Sequence, residues 1–70
     1  MPYVNIQITR EGDTGPERNA DLIAGVTQVL HDVLGKDPNS TFVVVEEVPL
    51  ENWGIGGLPV QEYRARRRAK

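Results

Sequence analysis

The residue with the most unusual chemical potential in this sequence is Pro2, which directly follows Met1. A small second residue normally allows an aminopeptidase to remove the initiating methionine. Pro2 would then carry a free secondary amine, a basic group that no interior residue can provide. Proline has no backbone N–H, so within sheets it is mostly confined to strand starts and edges. Two interpretations of Pro2 are therefore open: an amino-terminal base, or only the first residue of an edge strand.

Few other residues are arranged for chemistry. The chain has no cysteine and a single histidine, which excludes thiolate and histidine-rich metal sites. Glu46 and Glu47 are adjacent in a β-branched segment, so alternation sends them to opposite faces and they cannot form a paired carboxylate site. The glycine-rich segment at 54–57 lacks the Gly-Lys-Ser/Thr ending of a phosphate loop. The sequence predicts no metal site.

Charge is distributed unevenly along the 70 residues, although the net charge is only −2. The carboxyl-terminal sequence RARRRAK carries five of the eight basic residues, so residues 1–63 have three basic and ten acidic residues, a net of −7. Nucleic-acid-binding domains usually have a basic body, so we expect no nucleic-acid partner. The sequence has neither a signal peptide nor an apolar run long enough to span a membrane, which predicts a cytoplasmic protein without a membrane partner.

The elements that must position Pro2 begin with a strand over residues 2–10. Val4, Ile6 and Ile8 alternate with polar or aromatic residues, the period-two pattern of a strand with one apolar face. Glycines and a proline then interrupt the pattern in EGDTGP.

A long helix is predicted next. Thr14 and Glu17 have the spacing of a capping box, and Pro16 falls in the first turn, where its missing N–H has no cost. Apolar residues then recur at steps of three and four up to Leu34, and Gly35 provides the left-handed residue that ends many helices.

The second strand is predicted over 41–48, where the run FVVV suggests burial on both faces. Strand, helix and strand form an α/β unit of the β-α-β type, whose two strands should be parallel. One helix cannot cover both faces of this sheet, so we expect a second copy to complete a four-stranded sheet. A short hairpin around 54–57 and a polar, basic tail over 61–70 complete a single domain spanning residues 1–70.

These features together resemble the 4-oxalocrotonate tautomerase family. The resemblance covers about residues 2–60, and its most specific parts are the Met-Pro start and the sequence Asn52-Trp53-Gly54-Ile55-Gly56-Gly57. It implies a β-α-β subunit that pairs into dimers and commonly assembles into hexamers. It also implies keto–enol tautomerisation by the amino-terminal proline, without metal or organic cofactor.

The resemblance assigns further roles around Pro2. Trp53 corresponds to the aromatic residue that closes the family's pocket, although it could equally pack the hairpin at a subunit contact. The two substrate-binding arginines of the family are absent, because Asp13 and Phe42 occupy their positions. Arg10, which alternation places on the side of Pro2, is the candidate replacement, with a plain surface arginine as the other interpretation. The family's dicarboxylate substrate is therefore not implied for this chain.

Two functions of different class follow for this sequence. The first is a cofactor-independent tautomerase that interconverts the enol and keto forms of a small α-keto acid or a related unsaturated acid. Pro2 is its general base, and Arg10, Trp53 and Phe42 are its substrate-binding residues. The alternative is a non-catalytic oligomeric domain of the same fold that binds a metabolite or a partner. Hydration of an unsaturated haloacid would use the same proline, but we identify no residue that would activate the water.

Overall fold

The computed structural model describes residues 1–68, and its centre is a pair of parallel strands. β1 (Tyr3–Thr9) and β2 (Phe42–Val48) each have seven residues and pair in step from the first residue of each strand to the last. The predicted β-α-β unit with parallel strands is therefore confirmed. Because the strands are parallel and in step, their amino-terminal ends lie at one edge of the molecule and their carboxyl-terminal ends at the other.

The two strands are connected by the helix α1 (Pro16–Leu34), which packs against β2. Pro16 occupies its first turn, as predicted. Gly35 ends it with φ of 69°, and the Gly35 N–H donates to the carbonyl of His31. A residue with a Cβ would be strained at this φ, so glycine is what allows the chain to leave the helix here.

The predicted capping box at the start of α1 is wrong. Gly15, not Thr14, is the N-cap residue, and no side chain caps this end of the helix. The Thr14 hydroxyl instead donates to the Glu47 carboxylate at 2.8 Å. The Thr14 hydroxyl therefore has its partner 33 residues away along the chain, whereas an N-cap oxygen would accept a hydrogen bond from a backbone N–H in the first turn of the helix.

The two faces of the sheet differ in exposure. On the side that meets α1, strand residues such as Val4, Ile6 and Val45 are half-buried. On the other side Tyr3, Phe42 and Val44 are exposed. The apolar run of β2 therefore has only one of its faces covered by this chain.

The chain continues from β2 into a hairpin and a second helix. The strands β3 (Gly54–Ile55) and β4 (Leu58–Pro59) are antiparallel, and the two glycines between them have φ of 62° and 83°. Positive φ at both central residues is typical of the tight turn that matches strand twist, so the predicted hairpin is confirmed. The helix α2 (Val60–Arg68) follows directly.

The predicted polar tail over 61–70 is wrong for residues 61–68, which belong to the helix α2. Apart from Val60 and Tyr63 this segment is almost entirely polar, so it lacks the apolar periodicity that predicts a helix. Its arginines, glutamine and glutamate nevertheless have high helix propensity, and the contacts with the hairpin supply the tertiary support that a short helix needs. Residues 69 and 70 of the predicted tail lie outside the described part of the chain.

A single chain forms almost no core. Among residues 1–68, Val60 is the only hydrophobic residue that is buried. The radius of gyration is 16.0 Å and the longest dimension 48 Å, whereas a compact domain of this length would have a radius of about 11 Å. No helix within residues 1–68 has the length and apolarity needed to cross a membrane.

Candidate active site

The candidate base, Pro2, lies immediately before the first residue of β1. Its carbonyl accepts a hydrogen bond of 3.0 Å from the Phe42 N–H, which holds it against the start of β2. Pro2 is half-buried, whereas Met1 is 88% exposed and projects beyond the sheet. The backbone position of Pro2 is therefore defined by the sheet, while the residue before it can be removed without loss of a strand.

Phe42 is the predicted site residue that the structure brings close to Pro2. It is paired with Tyr3, the residue after Pro2, and is 51% exposed on the uncovered face of the sheet. The amino-terminal end of the sheet thus combines an amine position with two aromatic side chains. Such side chains offer a flat apolar surface to a small unsaturated molecule.

Arg10 and Trp53 lie at the opposite end of the sheet from Pro2 of the same chain. Arg10 directly follows β1, and its N–H donates to the Val48 carbonyl at 2.8 Å. The seven residues of β1 separate it from Pro2, a distance of about 26 Å for eight steps at the usual rise of a strand. Trp53 follows β2 after a short turn, is half-buried, and accepts a hydrogen bond of 2.8 Å from the Val60 N–H. One chain therefore does not bring the four predicted site residues together.

A polar network on the uncovered sheet face was not foreseen from the sequence. The Asn5 amide donates to the Glu46 carboxylate at 2.7 Å and to the Tyr3 hydroxyl at 3.1 Å. Glu47 points the other way, towards Thr14. The predicted separation of the two glutamates onto opposite faces is thus confirmed. Only the strand register shows that Asn5 and Glu46 meet, because they are 41 residues apart in the sequence.

An ion pair ties α2 to the carboxyl-terminal end of β1. Arg64 donates to the Glu11 carboxylate at 2.7 Å, and the Thr9 hydroxyl donates to the same carboxylate. The hydrogen bond from Arg64, followed by that from Thr9, lowers the pKa of Glu11 below its ordinary value of 4.5. The same pair raises the pKa of Arg64. The arginine-rich helix is thereby fixed at the end of the sheet that also carries Arg10 and Trp53.

We expect Arg64→Met to raise the pKa of Glu11 towards 4.5, because it removes the strongest donor to this carboxylate. In the unchanged protein the pair contributes fully above pH 4.5, and its contribution is lost as the pH falls through the lowered pKa. A carbon-detected NMR titration of the Glu11 carboxyl group measures both effects. Arg66→Met is the matched control, since Arg66 pairs with Glu62 instead. An unchanged Glu11 pKa in Arg64→Met would contradict the ion pair.

Within residues 1–68 no three His, Asp or Glu side chains are grouped in a way that could hold a metal ion. At the amino-terminal end of the sheet, the nitrogen of Pro2 lies next to Tyr3, whose hydroxyl accepts from the Asn5 amide. The Glu46 carboxylate, which accepts from the same amide, lies further along the sheet beside Gln7. The Pro2 nitrogen is an amide while Met1 is attached and would become a secondary amine only after Met1 is removed.

Comparison with known proteins finds relatives that match nearly the whole chain. A family model for tautomerase enzymes matches residues 2–63. A probable tautomerase, K2 of Dickeya dadantii, is 56% identical over 91% of this chain and 94% of its own length. The 2-hydroxymuconate tautomerase of Pseudomonas putida is 37% identical over 89% of this chain and 95% of its own length.

The fold agrees with these sequences. TomN, a 4-oxalocrotonate tautomerase homologue of the tomaymycin biosynthetic pathway, superposes with a TM-score of 0.79 at 36% identity, covering 91% of this chain and 95% of its own. Pro2 is the first residue of the family match, and the hairpin lies within it. The chain therefore belongs to the 4-oxalocrotonate tautomerase family of the tautomerase superfamily and is an isomerase.

Proposed function

We propose that this chain interconverts the enol and keto forms of a small α-keto acid or a related unsaturated acid, with the amine of Pro2 as general base after removal of Met1. The observation that carries the proposal is the position of Pro2. It is half-buried immediately before β1, and its carbonyl accepts a hydrogen bond from the Phe42 N–H. The similarity to the 2-hydroxymuconate tautomerase, whose name denotes an enol acid, supports the same class of substrate.

The reaction moves one proton between oxygen and carbon. The neutral amine of Pro2 takes the proton from the enol hydroxyl, and the resulting ammonium returns it to carbon, which gives the ketone. A general base is most effective when its pKa lies near the working pH. Cationic donors stabilise the enolate charge that develops between the two transfers.

The proposed enzyme is an oligomer, a dimer at least and a hexamer in its final form. The accessible surface of the chain is 5341 Å², whereas a compact monomer of this mass would expose about 4,400 Å². Exposed apolar residues lie both on α1, where Val29 is 57% and Val33 75% exposed, and on the uncovered sheet face. Surfaces of this kind are rare on soluble monomers, and a second and further copies would cover them.

Dimerisation would also complete the site. Two identical copies that pair strand to strand about a two-fold axis must run antiparallel. Because β1 and β2 are parallel and in step, the dimer could pair through the outer edge of either strand with the same result. In both cases the Pro2 end of one chain would lie beside the opposite end of its partner. That opposite end carries Arg10 and Trp53. We propose that these two residues bind the substrate that reacts at Pro2 of the partner subunit. Phe42 of the chain that supplies Pro2 would bind the same substrate.

Turnover of phenylenolpyruvate tests this proposal, with ketonisation followed by ultraviolet absorbance. We expect protein whose intact mass shows the loss of Met1 to accelerate ketonisation, and a halopyruvate to alkylate Pro2 alone. No exchange with any enol, together with no selective labelling of Pro2, would overturn the proposal. That result would favour the alternative, a non-catalytic binding domain. The alternative is motivated by Asp13 and Phe42, which occupy the positions of the family's arginines.

A further inference from the structure

The helix α2 packs on the hairpin through Val60 and Tyr63. Val60 is 7% exposed. The Tyr63 ring lies so close to Gly56 that a Cβ on this glycine would be 3.4 Å from ring atom Cε2. One turn further along the helix, the Arg67 guanidinium lies over the Tyr63 ring, 5.9 Å from its centroid. The hairpin, the tyrosine and the arginine thus form one connected stack.

The arginines of α2 differ in what they already bind. Arg64 is paired with Glu11 at 2.7 Å, and Arg66 with Glu62 at 3.0 Å. Arg67 has no carboxylate partner within residues 1–68, and its guanidinium donates a long hydrogen bond of 3.4 Å to the Tyr63 hydroxyl. An arginine stacked on an aromatic ring keeps its in-plane N–H groups free for a planar anion.

Arg67 lines two adjacent clefts. One has a volume of about 320 Å³ and extends between the hairpin and α2, with Gly56 and Leu58 on its other wall. The other has a volume of about 530 Å³ and is lined by Tyr63 and the arginines at 64, 67 and 68. Both volumes are in the range of small-molecule sites, and neither cleft is lined by an acidic residue. The clefts thus combine the aromatic ring of Tyr63 with the guanidinium of Arg67, which no carboxylate of residues 1–68 neutralises.

We propose that Arg67, supported by Tyr63, binds the carboxylate of the small acid on which the enzyme acts. Two parallel N–H···O bonds would hold the carboxylate in the plane of the guanidinium, and the ring of Tyr63 would contact the apolar part of the acid. The ion pair between Arg64 and Glu11 fixes this site at the end of the sheet that two-fold pairing places beside the partner's amino terminus. The inference rests on the proposed function for the identity of its ligand, but the site itself does not require Pro2.

The test is a titration of the isotope-labelled protein with phenylpyruvate, followed through the Arg67 Nε–H signal and fitted to a Kd. We expect the signal to shift with phenylpyruvate and not with its methyl ester, which lacks the carboxylate. Arg67→Ala should raise the Kd at least tenfold. Arg67→Lys should recover only part of the affinity, because it keeps the charge but loses the planar fork. Arg18→Ala removes the same charge from α1, lines neither cleft, and should leave the Kd within twofold.

The outcomes separate this inference from the proposed function. Binding that survives Pro2→Ala but is lost in Arg67→Ala supports the carboxylate site whether or not the enol is turned over. Equal weakening by Arg67→Ala and Arg18→Ala would indicate only a diffuse charge effect and would overturn it. Pro2-dependent turnover whose KM is unchanged in Arg67→Ala would also overturn it, and would leave the proposed function intact.

Discussion

An amino-terminal extension that leaves Pro2 in amide linkage is expected to lower the kcat of enol turnover by about 10²–10⁴, and its proteolytic removal is expected to restore it. The nitrogen of an amide has no basic lone pair, whereas the freed secondary amine does. General base catalysis contributes about 10²–10⁴ to a rate, so kcat should fall by that factor. The measurement is ketonisation of phenylenolpyruvate before and after cleavage of the same sample, with the intact mass recorded at both stages.

The extension is a sharp test because Met1 already projects beyond the sheet and is 88% exposed, so added residues should not disturb β1. An unchanged mass of the assembly by light scattering would establish this. Pro2→Ala is the complementary variant: its primary amine remains basic but lacks the fixed lone-pair direction of the ring, so we expect a loss of about 10²-fold rather than complete inactivity. Extended protein that turns over at the native rate would exclude Pro2 as the base.

Val44→Glu is expected to stop assembly at the dimer. Val44 lies on the uncovered face of the sheet and is 40% exposed in the single chain. If further copies cover this face, each copy of the variant would bury one unpaired carboxylate in the contact between dimers. The effective cost is several kcal/mol per buried charge. Strand-edge pairing leaves this face free, so the dimer should persist. Light scattering at micromolar concentration should then give twice the chain mass of 7.8 kDa.

Ala24→Glu is the matched control for assembly, since it adds the same charge at an exposed position of α1 and should retain the native mass. A Val44→Glu variant with the mass of the unchanged protein would show that this face remains open to solvent. A folded, monomeric wild-type chain would be a more serious contradiction, because it would remove both the covered faces and the site shared between subunits.

The elements of this protein that depend on local pattern could be predicted from its sequence. β1 follows from the alternation of Val4, Ile6 and Ile8, and α1 from its apolar period and from Gly35, which has φ of 69°. The hairpin follows from the two glycines between β3 and β4, whose positive φ values other residues rarely adopt. Each of these features is decided by backbone sterics or by which face of one element is apolar, and both are properties of neighbouring residues.

Contacts between distant segments could not be predicted in the same way. The Thr14 hydroxyl bonds Glu47 rather than capping α1, because the strand brings a carboxylate within reach. Residues 60–68 form a helix because Val60 and Tyr63 pack on the hairpin, although this segment has no helical period of apolar residues. A side-chain N-cap is worth only about 1 kcal/mol, and a short helix depends on tertiary packing for its stability, so the local sequence pattern decides neither case.

For the candidate site, too, the sequence indicated the chemistry, whereas the tertiary structure decided the positions of the residues. The residue types already indicated the chemistry, since an amino-terminal proline can offer a secondary amine wherever the rest of the chain lies. The positions of its partners depended on the tertiary structure: parallel strands in step carry Arg10 and Trp53 to the far end of the sheet from Pro2. Alternation reports which face a residue occupies but not how far along the strand it lies from its partner, and at about 3.3 Å per residue that distance excludes contact within one chain.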